Sequence, residues 1–306
     1  MNLIIATTRF QAFYISEILK KENVNDFIFL YKSNISSDIN CPIVKGLKDR
    51  SSKFIFYENK KFPFDIFDAI MHFSNKNVFE NVYVASINSR YIHKVLSIIK
   101  YRNLYTYDDG SANIIHSSFF FDKTTLIEKI FNCFFSIRKN KEILKLETKK
   151  HYTLYEDMSN ITSRLYYFNP FCFNSIANKC LKDKAVIFIG PVFDEMFNDY
   201  QSVIDNVNNY ISNVEADFFY IKHPRNTIKS CFDEYIISDD SGLAELIIKK
   251  KASEYSNVEL LGFFSSAQLN TIGISNVNSA VFNDVFKSKF DYSELLDKFN
   301  NIKIIS

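Results

Sequence analysis

Three short segments of this 306-residue chain combine residue types that could do chemistry. Tyr107-Asp108-Asp109-Gly110-Ser111 sets two adjacent acids before a glycine. Adjacent side chains at a strand end cannot point the same way, so one acid can face a ligand while the other caps a helix or braces the loop. A carboxylate whose pKa is lifted by burial or a neighbouring charge can deprotonate a hydroxyl nucleophile; Asp-Asp-Gly is also a common turn. Lys222-His223-Pro224-Arg225 gathers three potential cations in four residues, and Pro224 forces extended backbone on His223. Such a cluster suits a phosphate, and the imidazole could protonate a departing phosphate oxygen; it could equally be an exposed basic turn. Gly262-Phe263-Phe264-Ser265-Ser266 precedes Ala267-Gln268-Leu269, which can begin a helix with Ser265 or Ser266 as its N-cap. Free N–H groups there would form an anion site, or the serine is a plain cap.

Weaker signals surround these. Glu245 is an acid in the apolar stretch Gly242-Leu-Ala-Glu-Leu-Ile-Ile, suited to ribose hydroxyls or to a solvated helix face. Asp239-Asp240-Ser241-Gly242 reads as a loop and cap. Neither acidic pair makes the DxD arrangement that often holds a divalent metal on a nucleotide sugar, so no metal requirement is suggested. Of only six glycines, Gly110, Gly190 and Gly262 fall at or near strand ends, where backbone turns sharply or approaches a ligand. The five cysteines, Cys41, Cys133, Cys172, Cys180 and Cys231, form no CxxC pair and read as reduced thiols.

The elements that must position these residues follow from hydrophobic periodicity. Strands are expected over residues 2–7, 26–31, 53–57, 81–87 and 103–107, with helices over 10–21, 64–74 and 90–100. Residues 119–150 lack Gly and Pro and carry apolar residues at helical spacing, with Arg138, Lys139 and Lys141 in the second half. Strands over 184–190, 216–222 and 258–263 then alternate with helices over 195–214, 243–250 and 293–299. This is an α/β chain of two Rossmann-like domains, 1–155 and 156–306, with the division near residues 155–180. The halves are expected to face a central cleft, with ligands beyond the carboxyl ends of the strands. A balance of 37 basic and 35 acidic residues, net +2, argues against a dedicated nucleic-acid binder. No stretch approaches the length of a transmembrane helix, and the start reads as a strand rather than a signal peptide.

An acidic Asp-Asp-Gly motif in the first half, His-Pro in the second and then a Ser-Ser pair resembles the bacterial sialyltransferases of GT-B fold. The length and element order are most similar to glycosyltransferase family 52, which includes lipooligosaccharide and capsule sialyltransferases. The resemblance implies inverting transfer of sialic acid from CMP-sialic acid to a terminal galactose hydroxyl, with α2,3 linkage ahead of α2,6 or α2,8, and no cofactor or metal. It implies Asp109 as general base, with Asp108 and Gly110 supporting it. It implies His223, before Pro224, as the group assisting phosphate departure, and Ser265 and Ser266 as phosphate ligands. Lys222 and Glu245 become candidates for the cytidine base and ribose, and Gly190 and Pro191 match a donor-domain loop. Other readings left open are a polysialyltransferase, a UDP-sugar-dependent GT-B enzyme or a non-catalytic nucleotide-binding module. A cytoplasmic location is expected, with residues 119–140 meeting an anionic bilayer, a second copy of the chain or its own core.

Overall fold

The computed structural model describes residues 1–58, 60, 64–73, 77–172, 182–282, 299 and 302–305. The chain forms two compact units, Met1–Pro170 and Phe171–Ser306. The division falls later than the expected 155/156 because one more strand pairs with the first sheet before the chain leaves it.

In the first unit the elements run β1 (Asn2–Ala6), α1 (Arg9–Lys21), β2 (Phe27–Ser33), α2 (Pro42–Arg50), β3 (Lys53–Glu58), α3 (Phe64–His72), β4 (Val78–Val84), α4 (Arg90–Ile98), β5 (Lys100–Tyr107), α5 (Leu126–Phe134), α6 (Lys141–Glu147), β6 (Thr148–Thr153) and β7 (Leu165–Tyr167). The strands pair in parallel in the order β3-β2-β1-β4-β5-β6-β7. β1 is apolar on both faces, and Leu3, Ile4, Ile5 and Ala6 are all buried, as a central parallel strand requires. Leu3, Ile5, Val82 and Val84 share one core with Tyr91, Ile92 and Val95 of α4. The order of strand addition reverses between β1 and β4, a switch point that opens a crevice at their carboxyl ends.

The second unit contains β8 (Lys182–Ile189), α7 (Phe193–Met196), α8 (Tyr200–Ser212), β9 (Asp217–Ile221), α9 (Ala244–Ala252), β10 (Tyr255–Gly262), α10 (Ser266–Asn270), β11 (Val277–Phe282) and β12 (Ile302–Ile305). Its parallel order is β12-β11-β10-β8-β9, with the switch between β8 and β10. Alternation along β8 sends Ala185, Ile187 and Ile189 to a core with Ile247 and Ile248 of α9. Val186 and Phe188 point the other way, to Val203, Ile204 and Val207 of α8.

Two expectations change. Residues 119–150 are not one helical stretch: α5 and α6 are separate, and Thr148 already opens β6. The helix expected over 195–214 is divided into α7 and α8, with Asp199 capping α8 by accepting from Ser202 N. The helix expected over 293–299 lies outside the described residues apart from Phe299. Among the described residues no helix is long and apolar enough to cross a membrane.

Candidate active site

In the first unit the chemistry gathers where β1, β4 and β5 end. Asp108 and Asp109 point to different surroundings, as their adjacency demands. Asp108 is fully buried and accepts on both oxygens. His151 Nε2 (2.9 Å) and Asn160 Nδ2 (3.0 Å) meet Oδ1; the Thr153 hydroxyl and Leu154 N–H, each at 2.8 Å, donate to Oδ2. His151 Nδ1 in turn meets Thr106 Oγ1 at 2.8 Å. Asp108 therefore ties the end of β5 to β6 and the chain after it.

Asp109 is only half-buried as a residue, yet its carboxyl is held on both oxygens. Gln11 Nε2 of α1 donates to Oδ1, and Ser86 Oγ, after β4, donates to Oδ2 at 2.9 Å. Asn113 Oδ1 accepts the Asp109 N–H at 2.8 Å and fixes the backbone. Desolvation raises the Asp109 pKa; the bonds from Gln11 and Ser86 oppose that rise, and the charge of Asp108 adds to it. Gly110 has φ 87°, a conformation that favours glycine and turns the chain into a short 3-10 turn over Ser111–Asn113.

In the second unit three loops follow β8, β9 and β10. After β9, Arg225 N–H donates to His223 Nδ1 at 3.1 Å, which leaves the neutral ring's proton on Nε2. Burial lowers the His223 pKa, Arg225 lowers it further and Glu195 opposes them. Arg225 itself reaches Glu195 at 2.8 Å, and Pro224 is exposed. Lys222 is engaged by Asp233, with Nζ at 3.1 and 3.0 Å from its two oxygens, so two of its three donors are taken. After β8, Gly190 N–H donates to Ile221 O at 3.0 Å, and a Cβ on Gly190 would lie 2.5 Å from the Tyr220 ring. Pro191 is buried beside it.

After β10, Phe264 takes φ 58°, rare for a bulky residue. This turns the chain so that Ser265 caps α10 in a reciprocal capping box. Gln268 N donates to Ser265 Oγ (3.2 Å), and Ser265 N donates to Gln268 Oε1 (3.1 Å). Ser265 and Ser266 are half-buried. A Cβ on Gly262 would sit 2.6 Å from Gln268 Oε1, so glycine makes room for that side chain. Glu245 is buried rather than solvated; it accepts from Asn270 Nδ2 at 2.8 Å, and burial raises its pKa. Asp239 accepts from Ser241 N and Gly242 N, which confirms a turn there. Among the described residues no three His, Cys, Asp or Glu side chains converge as a metal-ligand set.

Gln11 and Ser86 were not legible as site residues. The available signal was Thr8-Arg9-Phe10-Gln11, a T-x-x-Q capping pattern directly after a strand. Thr8 does cap α1, with Gln11 N–H donating to its Oγ1 at 3.1 Å. The Gln11 side chain, however, turns away from the cap to Thr7 and Asp109.

Two parallel α/β units with these loops at their strand ends make the GT-B fold. Solved structures agree: the S. aureus MnaA–UDP co-structure has a TM-score of 0.56 at 9% identity, covering 100% of this chain and 84% of that one. The glycosyltransferase of kitacinnamycin has a TM-score of 0.53 at 8% identity, with 100% and 86% covered. The chain belongs to Glycosyltransferase family 52, whose family profile matches residues 18–282, and it is a transferase. It is 27% identical over 316 residues to the CMP-N-acetylneuraminate:beta-galactoside alpha-2,3-sialyltransferase of Pasteurella multocida (strain Pm70), covering 99% of this chain and 98% of the relative. It is 27% identical over 221 residues to the N-acetyllactosaminide alpha-2,3-sialyltransferase of Haemophilus influenzae (strain ATCC 51907 / DSM 11121 / KW20 / Rd), covering 70% and 69%.

Proposed function

We propose that the chain moves sialic acid, with inversion, from CMP-sialic acid to a terminal galactose hydroxyl, forming an α2,3 linkage on a bacterial surface glycan such as lipooligosaccharide or capsule. The name of the Pasteurella relative supports the donor, the galactoside acceptor and the linkage, and that of the Haemophilus relative supports sialyl transfer with the same α2,3 linkage. The observation that carries the chemistry is the Asp109 carboxyl, gripped on both oxygens where β5 ends. A base needs a fixed carboxylate with a raised pKa within hydrogen-bond reach of the hydroxyl it deprotonates.

In this reading Asp109 takes the acceptor proton as the new bond forms to the anomeric carbon. The bond from that carbon to the phosphate oxygen breaks, and CMP leaves with the electron pair. Negative charge grows on the phosphate, where His223 Nε2–H and the donors of Ser265 and Ser266 stabilise it. Gly190 and Pro191 shape the donor loop, while Lys222 and Glu245 serve the cytidine. CMP departs as a stable phosphate monoester, so transfer needs no metal or other cofactor. The nucleotide-activated donor puts the reaction on the cytoplasmic side.

The same reading makes α5 an outward contact. Leu126, Ile127, Ile130 and Phe134 are 63–81% exposed, and Lys123, Lys129 and Arg138 are exposed around them. That pattern suits a helix lying on an anionic bilayer beside a lipid-linked acceptor. Flotation with anionic vesicles should be lost in Ile130→Glu; loss of a dimer in that variant instead would assign the face to a second copy.

The deciding experiment is CMP release from CMP-sialic acid in EDTA, with and without a lactose-type acceptor. Acceptor-stimulated release is expected. Consumption of a UDP-sugar, with CMP-sialic acid untouched, would overturn the reading.

A further inference from the structure

Gln11 lies in the first turn of an otherwise amphipathic helix and is 1% exposed. A buried amide must satisfy both its ends. Its Oε1 accepts from Thr7 N–H at 2.7 Å and from the Thr7 hydroxyl at 3.1 Å. That fixes which end is oxygen, because the backbone N–H can only donate. Nε2 is thereby turned toward Asp109 Oδ1 and toward Ser86 Oγ, 2.8 Å away. The Ser86 oxygen is then an acceptor for Gln11, so its own hydrogen is free to point at Asp109 Oδ2. The backbone N–H at the end of β1 thus sets the orientation of the amide, the Thr7 hydroxyl also lies 3.2 Å from Ser86 Oγ, and the carboxylate of Asp109 draws the Ser86 hydrogen. The cluster joins the ends of β1, β4 and β5, three neighbouring strands, and Ser86 is itself anchored because Ser89 N–H donates to Ser86 O at 3.0 Å.

We propose that Gln11 and Ser86, ordered by Thr7, are positioning residues that hold Asp109 ionised and aimed for proton abstraction. The proposal rests on the reading of Asp109 as general base. Both donors favour the charged carboxylate over the neutral acid: Gln11 Nε2 cannot accept from a protonated oxygen, and the Ser86 hydroxyl would have to give up its own bond to Oδ2 in order to accept. They counter the desolvation that accompanies burial. Among the described residues the charged group acting on Asp109 is Asp108, its neighbour just after β5; α1 and the loop after β4 face it with the neutral Gln11 and Ser86. The Tyr107 hydroxyl is buried and donates to Ile5 O at 2.8 Å.

The test is the pH profile of kcat/KM for sialyl transfer, with CMP affinity measured beside it. Ser86→Ala should move the acid limb up by about one pH unit and lower kcat roughly tenfold, the size expected for one hydrogen bond to a charged group. CMP affinity should stay unchanged, and Ser86→Thr should restore the limb. Gln11→Glu keeps the shape and the acceptor for Thr7 N–H but turns a second carboxyl on Asp109, so its limb should rise further. Should Gln11→Glu fail to fold, the Ser86 pair decides alone. Folded variants that lose activity with the acid limb unmoved would reduce Gln11 and Ser86 to packing and overturn the proposal. Asp109→Asn separates the two layers: transfer retained there removes the base reading itself, whereas transfer lost there with unmoved limbs in the others removes only the positioning role.

Discussion

His223 carries two constraints at one ring. Its Nδ1 is occupied by Arg225 N–H, and burial favours the neutral form, so Nε2–H is what it would offer to the phosphate in the proposed reaction. His223→Ala should lower kcat by about 10²–10⁴, the usual range for a positioned acid, in steady-state transfer assays; a normal kcat would strip His223 of the leaving-group role. Glu245 makes a different argument, about stability. Burial lifts its folded-state pKa above the unfolded value. Between those two values the native chain keeps a proton that the unfolded chain has shed, so stability falls as pH rises through that window. Gln cannot ionise and can still accept from Asn270. The melting temperature of Glu245→Gln should therefore gain on the wild type as pH rises from about 4 to 7, and parallel curves would contradict a buried carboxyl. At this scale the sequence was informative where residue types are rare or doubled. Asp-Asp-Gly announced one acid outward and one inward, and the described hydrogen bonds make Asp108 the brace. Gln11 and Ser86 were illegible because neither type is unusual; their importance comes from three strands ending side by side.

Elements show why some of the fold could be read and some not. β1 and β2 are near-continuous apolar runs and β4, β8 and β10 each close on one, the signature of strands covered on both faces, and each was expected close to its observed place. β6 was missed because Thr-Lys-Lys-His-Tyr-Thr is polar and continues the helical spacing of α6. β7 has only three residues and is defined by pairing with β6, a long-range fact. Close approach is equally invisible from sequence: Gly190 was expected to serve a ligand loop, but a Cβ there would lie 2.5 Å from Tyr220 Cε2 and 2.6 Å from its hydroxyl. Tyr220 stacks on Phe188 and meets Phe232 edge-on, so its ring has little room to yield. Gly190→Ala should destabilise by about 1–3 kcal/mol, the range for overpacking a filled core, measured by chemical denaturation. It should also raise the KM for donor, because Gly190 N–H holds the end of β9 just before His223. An unchanged midpoint would mean that the Tyr220 ring swings aside.

For the whole molecule, the proposed reaction divides its labour between the two units by the chemistry of their loops. Net charge is nearly zero, and the hydrogen-bond donors of His223 and Arg225 follow β9 in the second unit, while the gripped carboxylate follows β5 in the first. A nucleotide phosphate is repelled by a carboxylate and attracted by a histidine and by hydroxyl and N–H donors. CMP should therefore protect backbone amides in residues 190–193, 222–226 and 263–268 from hydrogen exchange and leave residues 107–113 unchanged. The magnitude follows from linkage: at a hundredfold excess over Kd, bound CMP adds about 2.7 kcal/mol to any opening that releases it, or close to a hundredfold slower exchange at those amides. Exchange measured by mass spectrometry on the intact chain reads this segment by segment. His223→Ala should shrink the protection after β9, whereas Asp109→Asn should leave the whole pattern intact, since the base is assigned to the acceptor and not to the nucleotide. Protection of residues 107–113 equal to that of the second unit's loops would put the nucleotide against Asp109 and reverse the division of labour.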